Sequence, residues 1–190
     1  MQVYEVEMKF PVNDLDALRQ RLVALAARFH DPVDQVDLYF AHPSRDFAQT
    51  DEALRLRRVG HDAAITWKGP RIGTAAKTRR EIELPLEALP VSLPGGAPTT
   101  IDRWTELLEA LGFRRAIEVV KRRLPASVQW QGVEVQIALD TVAGLGDFVE
   151  LELLAAEGEL SLAQERVSSL ARRLGCGPQE RRSYLEMLLS

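Results

Sequence analysis

Apolar and polar residues alternate with a period of two through most of the chain. In Tyr4-Glu5-Val6-Glu7-Met8-Lys9-Phe10 the charged residues Glu5, Glu7 and Lys9 fall on one face of a strand. Val6, Met8 and Phe10 fall on the other, ready for a core. The same alternation predicts strands over 35–40, 53–59, 63–68, 78–84, 115–124, 133–141 and 147–154. Gly69-Pro70 is expected to stop the strand over 63–68, and a glycine-containing basic loop to follow as far as Ala76.

Helical spacing appears between these runs. Leu15, Leu18, Leu22, Leu25 and Ala26 predict a helix capped by Asn13 or Asp14 and running to about Phe29. A second helix is expected over 101–111, capped by Thr100 and stopped by Gly112. Ser161-Leu-Ala-Gln164 and Ser183-Tyr-Leu-Glu186 read as capping boxes, the first for a helix ending at Gly175 and the second for a short C-terminal helix. The stretch from Pro90 to Pro98 is the clearest break in composition. It divides one domain into halves of roughly 1–90 and 99–190, each with a helix near its first strand, as in a loose duplication. Short strands at hairpin spacing predict an α+β fold: an antiparallel sheet, closed or nearly so, with helices packed outside.

Composition narrows the function classes. A net charge of −4 and a pI near 5.5 argue against a nucleic-acid binder that relies on overall charge. No apolar run suits a membrane span, and the charged N-terminus is unlike a signal peptide. With Cys176 as the single cysteine, the cytoplasm is the expected compartment. The three histidines lack metal-ligand spacing, and there is no GxxxxGK[ST] phosphate loop.

The charged strand faces are sorted by sign. Carboxylate pairs stand at Glu5/Glu7 and Glu150/Glu152. Cations stand at Arg55/Arg57, Lys68, Arg79 and Lys121/Arg123, with Glu81, Glu83, Glu134 and Asp140 also in phase. An inward-facing surface of this kind is a polar tunnel that must hold water, ions and a charged ligand. Clustered Arg and Lys match the oxygens of a triphosphate, and paired carboxylates supply the hard oxygen ligands that Mg²⁺ or Mn²⁺ prefers. For a single residue, cross-strand ion pairing is an equally good account.

These residues resemble the CYTH family, the triphosphate tunnel metalloenzymes, whose ExExK hallmark appears as Glu5-x-Glu7-x-Lys9. Further matches follow in order: Leu54-Arg55-Leu56-Arg57, Thr66-Trp67-Lys68-Gly69-Pro70, Arg79-x-Glu81-x-Glu83, Lys121-x-Arg123, Leu139-Asp140, Gly144-Leu145-Gly146-x-Phe148-x-Glu150-x-Glu152 and Ser183-Tyr184-Leu185-Glu186. The Lys-Gly-Pro and Gly-x-Phe-x-Glu-x-Glu elements look most like the class IV adenylyl cyclase branch. The resemblance implies an eight-stranded antiparallel tunnel and a divalent-metal enzyme acting on a triphosphate. Carried over, it makes Glu5, Glu7, Glu150 and Glu152 metal ligands, with Asp140 a further ligand or base. Lys9, Arg55, Arg57, Lys68, Arg79, Lys121 and Arg123 would hold the phosphates, with Arg57, Lys68 and Asp140 nearest the chemistry. Glu81 and Glu83 would orient these cations or position a second metal, and the segment around Arg182 and Tyr184 would close one mouth.

Three activities fit this reading: cyclisation of ATP to cyclic AMP and pyrophosphate, hydrolysis of thiamine triphosphate, inorganic triphosphate or a nucleotide, and non-catalytic sensing of a polyphosphate or nucleotide. The expected partner is a small-molecule triphosphate, with neither nucleic acid nor membrane. A sheet edge near Gly95-Gly96 could also support a homodimer. Tyr39, Phe40, Trp67 and Phe148 are the aromatic candidates for an adenine pocket, and each suits a core equally well.

Overall fold

A computed structural model describes residues 3–60, 62–72, 77–87 and 99–190. Among the described residues, nine strands and five α-helices follow one another as β1 (Val3–Pro11), α1 (Leu15–Ala24), β2 (Arg28–Phe29), β3 (Val33–Ala41), α2 (Phe47–Thr50), β4 (Ala53–Val59), β5 (Asp62–Ile72), β6 (Lys77–Leu86), α3 (Thr100–Ala110), β7 (Arg114–Trp130), β8 (Val133–Val142), β9 (Gly146–Ala156), α4 (Leu160–Arg173) and α5 (Tyr184–Leu188). The strand order is β2-β7-β3-β4-β5-β6-β1-β9-β8, and β7 also pairs with β8. The ladder therefore closes into an eight-stranded antiparallel barrel, with β2 appended to β7. None of the described helices is long and apolar enough to cross a membrane.

The chain forms two compact units. The first comprises Met1–Val33, Arg71–Arg80 and Lys121–Ser190, and the second Asp34–Pro70 and Glu81–Val120. In the first unit, β1 pairs with β9 along its whole length, from Val3 opposite Ala156 to Pro11 opposite Phe148. Its apolar face is the one the alternation predicts. Val6, Met8 and Phe10 join Val149, Leu151 and Leu153 of β9 against Leu18 and Leu22 of α1 and Ala163, Val167 and Leu170 of α4. Val6, Leu22, Leu151, Val167 and Leu170 are fully buried, and each such side chain contributes about 1.5–3 kcal/mol on leaving water. In the second unit, Leu108 of α3 seals Phe40, Leu54 and Leu56.

Several boundaries depart from the sequence expectation. Helix α1 ends at Ala24 rather than near Phe29, because Ala26 takes a left-handed φ of 56° and Ala27 N–H turns back to the Leu22 carbonyl. Arg28 and Phe29 are then free to pair with Ser127 and Ala126 of β7. Gly69-Pro70 does not end β5, which runs on to Ile72. The last β5 residue paired with β4 is Lys68, opposite Ala53, so the missing N–H of Pro70 costs that ladder nothing. Pro125 likewise sits inside β7. Its carbonyl accepts from His30 N–H, so its ring lies on the side of the short β2 edge and leaves the β8 ladder intact.

Helix α3 is capped by Thr99 rather than Thr100, in a box closed by Asp102, and Gly112 beyond its end takes φ 90°. The box expected at Ser161 does not form. A 3₁₀ turn over Glu157–Glu159 leads straight into α4 and leaves Ser161 inside the helix. The Ser183–Glu186 box is present and starts α5. The Pro90–Pro98 break, the Gly95-Gly96 edge, and residues 73–76 of the basic loop lie outside the described residues.

Candidate active site

In the first unit, the face of β1 opposite the core brings the sorted charges together. Glu7 stands across from Glu152 of β9, and Glu5 is one strand repeat further along. Carboxylate oxygens of Glu5, Glu7 and Glu152 all lie within 4.8 Å of one another. Burial, with the repulsion of Glu5, pushes the Glu152 carboxyl up to about 8. Arg123 pulls the other way, and Glu150 and Glu7 add to the rise. Three converging carboxylates that disfavour one another's charge form a hard-oxygen donor set of the kind a divalent cation needs, so the residues present fit a Mg²⁺-type ion.

Glu150 and Glu152 share a strand face, yet their surroundings differ. Glu150 lies opposite Lys9 and takes Arg123 Nη2 at 2.5 Å. Glu150 thus stands outside the trio and links it to a cationic cluster. At the centre of that cluster is Asp140, which has no solvent exposure. Arg123 grips it with two parallel bonds, Nε to Oδ1 at 2.7 Å and Nη2 to Oδ2 at 2.6 Å. Lys121 Nζ donates to Oδ2 at 3.1 Å, and so does the Tyr184 hydroxyl, also at 3.1 Å. Burial works against the Arg123 charge, but Glu150 and Asp140 hold its pKa well above the ordinary arginine value. Burial, with the Glu150 and Asp140 carboxylates, pushes the Tyr184 phenol far up, so it stays protonated as a donor. The Tyr184 ring lies beneath two ammonium groups, Lys9 Nζ at 3.9 Å and Lys121 Nζ at 4.9 Å from its centroid. Arg79, buried on β6, is opposite Glu5.

The second unit holds the remaining cations. Arg57 grips Asp37 through Nε at 2.7 Å and Nη2 at 2.8 Å, and Arg55 Nη1 adds a bond at 3.2 Å. Gln35 donates to the same carboxylate at 3.2 Å. Burial opposes the Arg55 charge, while Asp37, Tyr39 and Glu81 hold its pKa above the usual value. Its Nε is buried and meets no acceptor among the described residues. Lys68 bonds Glu81, and Glu83 accepts from Thr66 at 2.8 Å and lies 3.9 Å from Arg55. Glu81 and Glu83 therefore sit against cations.

Asp37, Gln35 and Thr66 were not among the residues expected from sequence to form the site. Asp37 had a signal, since it shares a strand face with Gln35 and Tyr39, but its weight comes from the register that sets it opposite Arg57. The four aromatic candidates for a base pocket are all buried or in contact with other side chains. Tyr39 and Phe40 are buried, Trp67 packs on the second core and donates to Glu52 at 3.1 Å, and Phe148 stacks edge-on against Tyr184.

Comparison with known proteins agrees with this geometry. The CYTH domain family model matches residues 3–184. The protein named "Putative adenylate cyclase MJ0240" of Methanocaldococcus jannaschii is 30% identical over 186 residues, covering 96% of this chain and 97% of that one. Adenylate cyclase CyaB of Aeromonas hydrophila is 29% identical over 188 residues, covering 95% and 86%. Among solved structures, the PH1819 protein of Pyrococcus horikoshii OT3 superposes with a TM-score of 0.81 at 38% identity, covering 97% of this chain and 98% of that one. Strand order, sorted charges and a family match over nearly the whole length converge: the chain belongs to the CYTH family and is a triphosphate-processing phosphotransfer enzyme.

Proposed function

We propose that this protein is a divalent-metal-dependent adenylyl cyclase that converts ATP to cyclic AMP and pyrophosphate. The observation that carries the metal-dependent phosphoryl chemistry is the Glu5, Glu7 and Glu152 trio, joined through Glu150 to a buried grip of Arg123 and Lys121. The cyclase assignment is supported by the cyclase names of two relatives that match nearly the whole chain. Glu5, Glu7 and Glu152 would hold Mg²⁺ or Mn²⁺. When bound, such an ion polarises a phosphoryl oxygen and offsets charge on the leaving pyrophosphate. Lys9, Arg79, Lys121 and Arg123 bind phosphate oxygens, as do Arg55, Arg57 and Lys68, and being held in place beforehand they need little reorganisation as charge develops. The ribose 3′-oxygen would attack the α-phosphorus, give up its proton to solvent water and displace pyrophosphate. Asp140 is assigned here as the residue that orients Arg123 and Lys121, because its oxygens are already taken by three donors.

A second reading, hydrolysis of a triphosphate by water, is favoured by a separate observation: each of the four aromatic side chains that could stack on adenine is already buried or in contact with another side chain. Incubation with ATP, inorganic triphosphate and thiamine triphosphate, each with Mg²⁺ or Mn²⁺, separates the two by chromatography and phosphorus NMR. Cyclic AMP with pyrophosphate supports the cyclase. Orthophosphate with a diphosphate product replaces it with a triphosphatase, and tight binding without turnover replaces both with a sensor.

A further inference from the structure

The C-terminal segment reaches into the charged cluster of the first unit at one side chain. Tyr184 opens α5, where the Ser183–Glu186 capping box fixes its backbone. The segment before it is tied down by Glu180 N–H, which donates to the Lys9 carbonyl at 2.8 Å. The segment around it is tied down by Arg71, which bonds Glu186 at 2.6 Å and the Arg181 carbonyl at 3.1 Å. Held from three directions, the ring has little freedom and is only 6% exposed. One edge stacks against Phe148, with centroids 5.2 Å apart. The ring lies 3.9 Å from Lys9 Nζ and 4.9 Å from Lys121 Nζ, and the hydroxyl bonds Asp140.

An aromatic face attracts ammonium groups while leaving their N–H donors available, unlike a carboxylate, which takes donors for itself. We propose that Tyr184 is a positioning residue for triphosphate binding: its ring holds the Lys9 and Lys121 ammonium groups side by side for phosphate oxygens, while its hydroxyl locks Asp140. This rests on the reading of Lys9 and Lys121 as phosphate-binding residues. It extends that reading to a C-terminal residue that need not touch the substrate. Two flexible lysine side chains lose rotamer freedom when a ligand is bound, and a ring that has already gathered them removes part of that cost.

The test is binding of inorganic triphosphate by calorimetry to the full-length protein, with melting temperature recorded in parallel. Tyr184→Leu removes the π face and is expected to weaken binding about tenfold. Tyr184→Phe keeps the face and is expected to stay within about threefold of the parent. A structural role alone would lower the melting temperature of the Leu variant without this ring-dependent split in affinity. Lys9→Ala and the double variant with Tyr184→Leu complete a cycle. The proposal expects the Leu change to cost clearly less once Lys9 is gone, since one of the two ammonium groups that the ring holds is then absent. Full additivity in that cycle, or equal losses in the Phe and Leu variants, overturns the proposal while the phosphate reading stands. If neither Lys9→Ala nor Lys121→Ala weakens triphosphate binding, the phosphate reading itself fails and the proposal with it.

Discussion

Two clusters, one around Asp37 and one around Asp140, are built on the same plan and differ in what surrounds them. In each, a buried aspartate on one strand lies opposite an arginine on its antiparallel neighbour: Asp37 opposite Arg57, Asp140 opposite Arg123. In each, the arginine forks both carboxylate oxygens, and a second cation two residues earlier adds a longer bond: Arg55 at 3.2 Å, Lys121 at 3.1 Å. A cation-x-arginine strand beside an aspartate strand is thus a repeated device for holding two positive charges in a dry place. The difference lies in the neighbours. Around Asp37 the other carboxylates, Glu81 and Glu83, are matched to Lys68, Thr66 and Arg55. On the Asp140 side the further carboxylates gather instead, with oxygens of Glu5, Glu7 and Glu152 within 4.8 Å of one another. Among the described residues, the one carboxylate cluster of this kind therefore lies in the first unit.

The largest effect should come from breaking the acidic trio. Glu152→Gln is expected to lower metal-dependent turnover by about 100-fold or more, measured as product formation at saturating Mg²⁺. The same change relieves the crowding of the trio, so the metal-free protein should melt no lower than the parent. Breaking the shared device comes next. Asp140→Ala and Asp37→Ala each strand buried cations, and each should cost about 3–5 kcal/mol in urea denaturation. A near-silent Asp37 variant would show that the two clusters are not equivalent in strength. Smaller still is Arg57→Ala, expected to weaken triphosphate binding about tenfold while leaving kcat nearly unchanged, checked by separate kcat and KM values.

The smallest expected effect is a pH trend that one cluster has and the other lacks. Glu152 in the fold titrates near 8, above its ordinary value of 4.5, so the folded state binds more protons than the unfolded chain between these limits. The stabilising contribution of its proton is complete below about pH 4.5 and is lost as pH rises towards 8. Melting temperature in EDTA should therefore fall over that window, and Glu152→Gln should flatten the fall. Added Mg²⁺ should stabilise the parent more at pH 8 than at pH 6, because the ion competes with that proton.

Much of this was legible in the alternation of residue types. It placed eight of the nine strands, the core face of β1 and the sign-sorting of the opposite face, because side-chain phase is a local property of a strand. Glu150 and Glu152 show what is not local. They are in phase and chemically identical, and only the cross-strand neighbours make one the partner of Arg123 and the other a member of the trio. The role of Asp37 was hidden for the same reason, since one aspartate in an apolar strand looks ordinary until Arg57 is set opposite. The short β2 escaped because two residues carry no period. The strands through Pro70 and Pro125 were cut short because a proline's cost depends on whether its missing N–H faces a partner.

The pairing of β1 with β9 also sets a schedule. Glu5 and Glu7 are synthesised well before Glu152, with strands β2 to β8 coming between them in the chain. Strand β1 can meet β6 earlier, but its pairing with β9 waits on a contact between distant parts of the sequence. A nascent chain halted anywhere before β9 carries two of the three clustered carboxylates and lacks the strand that brings the third beside them. Synthesis of β9 is thus itself the step that creates the acidic trio.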